Sequence, residues 1–121
     1  MRTSHVFKIL FFIAFAISLY LFLAQGVSSG IDLPNFDKVA HFLVFAGLSL
    51  LFDLGFNKTR FTALTLALIY GALVEYLQST TAYREASIGD LAADMAGGLC
   101  YYYLAQAKVR SLAMKYLAMP Q

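Results

Sequence analysis

The chain has 121 residues, 60% of them hydrophobic and only 13% charged, with a mean hydropathy of +0.69 and a formal net charge of +2. Charged residues make up about 25% of an ordinary soluble domain, so this chain lacks the polar surface to cover a water-soluble core, and the bilayer is the expected solvent. The single cysteine, Cys100, excludes an internal disulfide or a thiol motif and reads as a small apolar packing residue.

A helix crosses the hydrocarbon core with about 20 apolar residues, and four segments approach that length. Val6 to Ala24 is interrupted only by Lys8. Arg2 and Lys8 ahead of an apolar run also suit a signal peptide, but the run is long for that role and no clear A-x-A site follows, so it is expected to be retained as a span. Lys38 to Leu54 carries His41; Phe61 to Gln78 is apolar until Glu75; Ser87 to Leu104 is apolar apart from Asp90 and Asp94. Short polar links separate them, and the mixed, basic tail from Ala105 suggests an interfacial helix. The predicted fold is an all-α polytopic membrane protein, a bundle of about four transmembrane helices in one domain. It divides into residues 1–30 (first span and outer loop), 31–106 (a three-helix region) and 107–121 (a basic cytoplasmic tail).

Lys and Arg in short loops set orientation. One side of this arrangement holds Arg2, Lys8, Lys58, Arg60, Lys108, Arg110 and Lys115, and the other only Lys38 and Arg84. The basic side is expected in the cytoplasm with both termini, which puts Tyr101, Tyr102 and Tyr103 at the inner interface. Small residues at i, i+4 spacing let helices approach closely in lipid. Ala63, Ala67 and Gly71 form such a stripe on the face of Glu75, and Gly89, Ala93 and Gly97 form another, with Gly98 alongside.

The acids then divide. Asp53, at the inner end of the second span, is expected to pair with Lys58 or Arg60. Asp32, Asp37, Glu75, Glu85, Asp90 and Asp94 fall on the outer side with Lys38, His41, Gln78 and Arg84. Residues three or four apart share a helix face, so Asp37/His41, Glu75/Gln78 and Asp90/Asp94 each make a polar patch, all at similar depth. Convergence on one site is the economical reading, because ionisable groups within a membrane need partners. Simpler roles stand beside it. Ser87 and Asp90 fit a capping box, Asp37 an N-cap, His41 a hydrogen-bonded core histidine, Glu75 with Gln78 a helix clamp, and Arg84 a counter-charge to Glu85. Asp94 has no such local role: one turn deeper than Asp90, it must be protonated, paired with Arg84 or His41, or bound to a cation.

The ordered set Asp37-Lys38-Val39-Ala40-His41-Phe42, Glu75-x-x-Gln78, Arg84, and Ser87-x-x-Asp90-x-x-x-Asp94 with Gly97 following resembles the VanZ-like family, named for a teicoplanin-resistance protein. The resemblance covers about residues 37–98. It implies a small domain in a bacterial cytoplasmic membrane, linked in its founding member to glycopeptide resistance, and it lends no settled reaction. Asp94 departs from the family, which usually shows Asn there, so a charge-neutral role does not carry over to that position.

At the outer mouth, the N-termini of the second and fourth helices with Lys38 and Arg84 favour an anion such as a lipid phosphate. Asp37, Glu75, Asp90 and Asp94 favour a cation, and a divalent ion such as Mg²⁺ bridging to phosphate reconciles the two. Glu75, Asp90 and Asp94 are the candidate metal ligands, and His41 and Glu75 the candidate catalytic groups, with His41 as general base. The binding set is Asp37, Lys38, His41, Glu75, Gln78, Arg84, Ser87, Asp90 and Asp94. No motif demands a cofactor. The first functional expectation is a site for an anionic lipid-linked cell-envelope molecule, with membrane lipids and a cell-wall precursor or glycopeptide as partners. The alternatives are a non-enzymatic protein whose cluster only locks helices or docks a partner, and a proton- or ion-coupled transport element. Enzymatic chemistry is the lesser expectation, nucleic acid is not a partner, and oligomeric state is left open.

Overall fold

A computed structural model describes residues 3–23, 36–80 and 88–118, with the backbone alone at 36 and 37. The described residues are helical apart from short turns: α1 (Thr3–Leu23), α2 (Phe36–Phe56), α3 (Arg60–Ser79), α4 (Ile88–Cys100), a π-helical turn (Tyr101–Ala105) and α5 (Gln106–Leu117). The expected all-α architecture is therefore observed. By length and composition α1, α2 from Lys38, and α3 can each cross a membrane. α4 is shorter, but it runs through the π turn directly into α5.

The molecule turns the rule of soluble proteins inside out. Ser18, His41, Ser49, Asp53, Glu75, Gln78, Asp90, Asp94 and Gln106 are buried, while large apolar side chains such as Phe12, Leu43, Phe61, Ile69, Tyr76 and Leu104 are exposed. In hydrocarbon, polar groups must find partners inside the bundle and apolar ones need none.

Local sequence explains the ends and crossings. Asn57, in the left-handed region at φ 53°, closes α2 through its N–H to the Asp53 carbonyl at 3.0 Å, and Thr59 caps α3 by accepting from the Thr62 N–H at 3.2 Å. α2 packs chiefly on α4, α1 on α2, and α3 on α4. Gly97 allows the α2–α4 contact, since a Cβ there would collide with the Phe42 carbonyl oxygen and sit 3.0 Å from the Ala46 nitrogen. Gly71 does the same for α3 and α4, with Leu91 and Asp94 at 2.9 and 3.0 Å from such an atom.

Two sequence expectations change here. Ala63, Gly71 and Glu75 do face inward, but on the fourth helix Gly89 is exposed and the buried positions are Asp90, Asp94, Gly97 and Gly98. The carboxylates, which must be sheltered from lipid, set that face, and the small-residue stripe follows only at Gly97. The tyrosines also divide: Tyr103 is exposed, but Tyr101 and Tyr102 pack with Ala63 in the core. The tail forms α5, which follows directly on the π turn and buries Gln106 and Ala113.

Candidate functional site

One end of the bundle collects the starts of α2 and α4 and the ends of α1 and α3. From α2, His41 is fully buried, and its Nδ1 lies 2.7 Å from Asp94 Oδ1 on α4. The Phe22 ring of α1 stacks on the imidazole at 4.3 Å between centroids and 18° between planes, fixing its plane. The His41 Nε2 lies 3.9 Å from Asp90 Oδ2, one turn before Asp94 on the same face of α4. Lys38, one turn before His41 on α2 and partly exposed, donates to Asp90 Oδ1 at 3.3 Å. Asp94 therefore takes His41 as its partner.

α3 contributes Glu75 and Gln78, both buried. One ligand atom each from His41, Glu75 and Asp90 lie within 4.8 Å of one another, so three helices deliver one nitrogen and two carboxylate oxygens to a single small space. Gln78 Nε2 donates to the Phe22 carbonyl at 2.7 Å, tying α3 to the last turn of α1, where carbonyls lack helical partners. The structure thus brings together Lys38, His41, Glu75, Gln78, Asp90 and Asp94. The Asp37 side chain, Arg84 and Ser87 lie outside the described residues, as do Asp32 and Glu85.

Sequence reasoning did not single out Phe22. An aromatic in a long apolar run carries no signal that it will cover a histidine and offer its carbonyl to a glutamine. Behind Phe22, Phe45 and Tyr70 stack at 5.4 Å, and the Ser18 and Tyr70 hydroxyls bond at 2.7 Å. Both rings line an apolar groove of about 410 Å³ among α1, α2 and α3, whose walls include Phe11, Phe15, Leu66 and Leu73.

A second polar cluster occupies the other end. Asp53 accepts from Tyr101 (2.7 Å), Gln106 (3.2 Å) and twice from Arg110 (2.6 and 3.1 Å). This corrects the expected pairing with Lys58 or Arg60; Arg60 instead donates to Gln106 at 3.2 Å and covers the Tyr103 ring. The cause is the π turn, in which the Gln106 N–H bonds the Tyr101 carbonyl five residues back. That spacing puts Tyr101, Gln106 and then Arg110 on one face toward Asp53. Hydrogen bonding to Asp53 raises the Arg110 pKa further above the ordinary arginine value.

An inverted polarity, helices of spanning length and a buried polar cluster at each end define a multi-helix membrane protein. The VanZ/LLP1 family model matches residues 1–109, and the chain belongs to that family. It is similar to an uncharacterized protein of Schizosaccharomyces pombe, at 34% identity over an alignment of 93 residues that covers 73% of this chain and 55% of the relative. The chain thus spans about half the length of that curated relative. No solved structure matches the chain.

Proposed function

We propose that this VanZ-type membrane protein binds the anionic head group of a lipid-linked envelope molecule at the end of the bundle holding His41, Asp90 and Asp94. That end faces the outer leaflet of a bacterial cytoplasmic membrane in this reading, with both termini inside. The Lys and Arg asymmetry supports the orientation, since Lys8, Arg60 and Arg110 all pack at the opposite end. The carrying observation is the placement of His41, Glu75, Asp90 and Asp94 together in the bundle interior with Lys38 at the rim. The groove beyond Phe22 adds an apolar slot of a size to hold part of a lipid chain. A role in glycopeptide resistance belongs to the same reading, through envelope precursors that such a site would engage.

The test is native mass spectrometry of protein purified from membranes supplied with a polyprenyl phosphate or with phosphatidylcholine. Retention of the polyprenyl phosphate, lost in Glu75→Gln and Asp94→Asn, supports the reading. Equal retention by the variants, or none by the original, overturns it.

A purely structural role draws on two observations: the Gln78 bond to the Phe22 carbonyl and the Lys38–Asp90 pair each join two helices. It predicts folded variants that lose stability and no ligand. Ion-coupled transport has less support, because the buried α2 positions between His41 and Asp53 are Phe45, Leu48 and Ser49, an almost wholly apolar stretch.

A further inference from the structure

We propose that His41, Glu75 and Asp90 form a site for a divalent transition metal, with Asp94 behind the histidine as its orienting carboxylate. The inference rests on reading this end of the bundle as a ligand site only for what completes the coordination.

His41 carries the argument. Its Nδ1 is engaged by Asp94 at 2.7 Å, and Phe22 holds the ring plane. With the Nδ1 proton donated to Asp94, the Nε2 lone pair points away from that bond, and Nε2 is fully buried without a hydrogen-bond partner. A buried acceptor in that position costs about 1–3 kcal/mol unless something meets it. Metal-binding histidines show this pattern: one ring nitrogen donates to a carboxylate while the other faces the ion.

The other two ligand atoms stand close by. Asp90 Oδ2 stands 3.9 Å from Nε2, beyond hydrogen-bond reach. Ligand atoms about 2.0–2.2 Å from a tetrahedral ion lie about 3.3–3.6 Å apart, so a shift of a few tenths of an ångström brings the pair to that spacing. Glu75 supplies the third ligand from a third helix, within the same 4.8 Å group. Lys38 on Asp90 Oδ1 steadies that carboxylate with its other oxygen toward the histidine. One imidazole nitrogen and two carboxylate oxygens suit Zn²⁺ or Mn²⁺ better than Mg²⁺ or Ca²⁺, which favour all-oxygen sets. Three protein ligands leave a position for water or for a phosphate oxygen of the bound head group. The set differs from the expected Glu75, Asp90 and Asp94: His41 stands between Asp94 and the ion and moves that carboxylate to the outer shell.

The experiment uses full-length protein in detergent, stripped with EDTA and offered Zn²⁺ or Mn²⁺ alone. His5, the other histidine, is replaced by alanine throughout. The expected result is about one equivalent of metal by elemental analysis and a Tm raised by several degrees. Glu75→Gln and Asp90→Asn abolish uptake, and Asp94→Asn weakens it about 10- to 100-fold, as loss of an orienting carboxylate does. No uptake and no Tm change in the parent protein overturns the proposal, as does undiminished uptake in Glu75→Gln and Asp90→Asn. Because the parent protein decides the first point, a variant that fails to fold does not obscure the outcome. Polyprenyl phosphate retention in the same samples separates the two claims. Metal uptake without lipid overturns the head-group reading alone, and lipid retention by protein that takes up no metal overturns the metal site alone.

Discussion

The two polar clusters of this bundle are built from the same kinds of residues and differ in how completely they are satisfied. At the basic end, each oxygen of Asp53 accepts two hydrogen bonds, and the bidentate Arg110 cancels its charge. At the other end Asp94 meets His41 and Asp90 meets Lys38, and His41 Nε2 and Asp94 Oδ2 have no hydrogen-bond partner. Burial is common to both and so distinguishes neither. The carboxylates distinguish them: both Asp53 oxygens are met, although the Tyr102 hydroxyl nearby has no hydrogen-bond partner, whereas Asp94 keeps one oxygen and His41 one nitrogen unmet.

The largest expected effect lies in the Asp53 cluster. Replacing Asp53 by alanine strands the Arg110 guanidinium and removes the acceptor of Tyr101 and Gln106. Breaking a buried ion pair from one side costs about 3–5 kcal/mol; Arg110 lies partly at the surface, so the lower end, about 3 kcal/mol, applies. Thermal or denaturant unfolding in detergent should show that loss, with no deficit in metal uptake by protein that remains folded. An unaltered midpoint for Asp53→Ala would remove the distinction between the clusters.

Much of this arrangement was legible beforehand, for physical reasons that also mark where legibility ended. Hydropathy and length located α1, α2 and α3 because the bilayer imposes one length scale on a spanning helix. Helical spacing placed Asp90 with Asp94 and Glu75 with Gln78, and the cost of bare charge in lipid brought those patches to one place. The Asp53–Arg110 pair was hidden because it depends on a π turn: at ordinary helical spacing, Tyr101 and Gln106 do not share a face, and nothing in YYYLA announces the extra residue. The inward face of α4 lies one position from the Gly89–Ala93 stripe because Gly89 and Ala93 permit close packing without requiring it, whereas Asp90 and Asp94 require shelter. Phe22 was invisible because its role is shape, stacked on His41, and any apolar run contains such rings.

A smaller effect is expected at Gly97, which sets how closely α2 and α4 approach between the clusters. An alanine Cβ must move the Phe42 carbonyl or part the helices. Overpacking of this kind costs about 1–3 kcal/mol, offset by up to about 1 kcal/mol of improved helix propensity. A net loss of about 1–2 kcal/mol is expected in Gly97→Ala. Because the shift separates His41 from its orienting carboxylate Asp94, metal affinity should fall as well, although neither residue is altered. A stabilised Gly97→Ala protein with undiminished metal uptake would show that this crossing does not set the site.

The smallest stability change is expected at Asp94. Asparagine there keeps an oxygen to accept from His41 Nδ1 and loses the charge that strengthens the bond, a loss of about 1 kcal/mol. Against this, it removes repulsion with Asp90 one turn away, worth a few tenths of a kcal/mol. These terms partly cancel, so Asp94→Asn should unfold within about 1 kcal/mol of the parent while holding metal more weakly. Asp53→Asn, by contrast, leaves Arg110 without its counter-charge and should be destabilised by more than that. Equal losses in the two asparagine variants would mean that both ends are structural locks, and the contrast between them would then describe geometry without function.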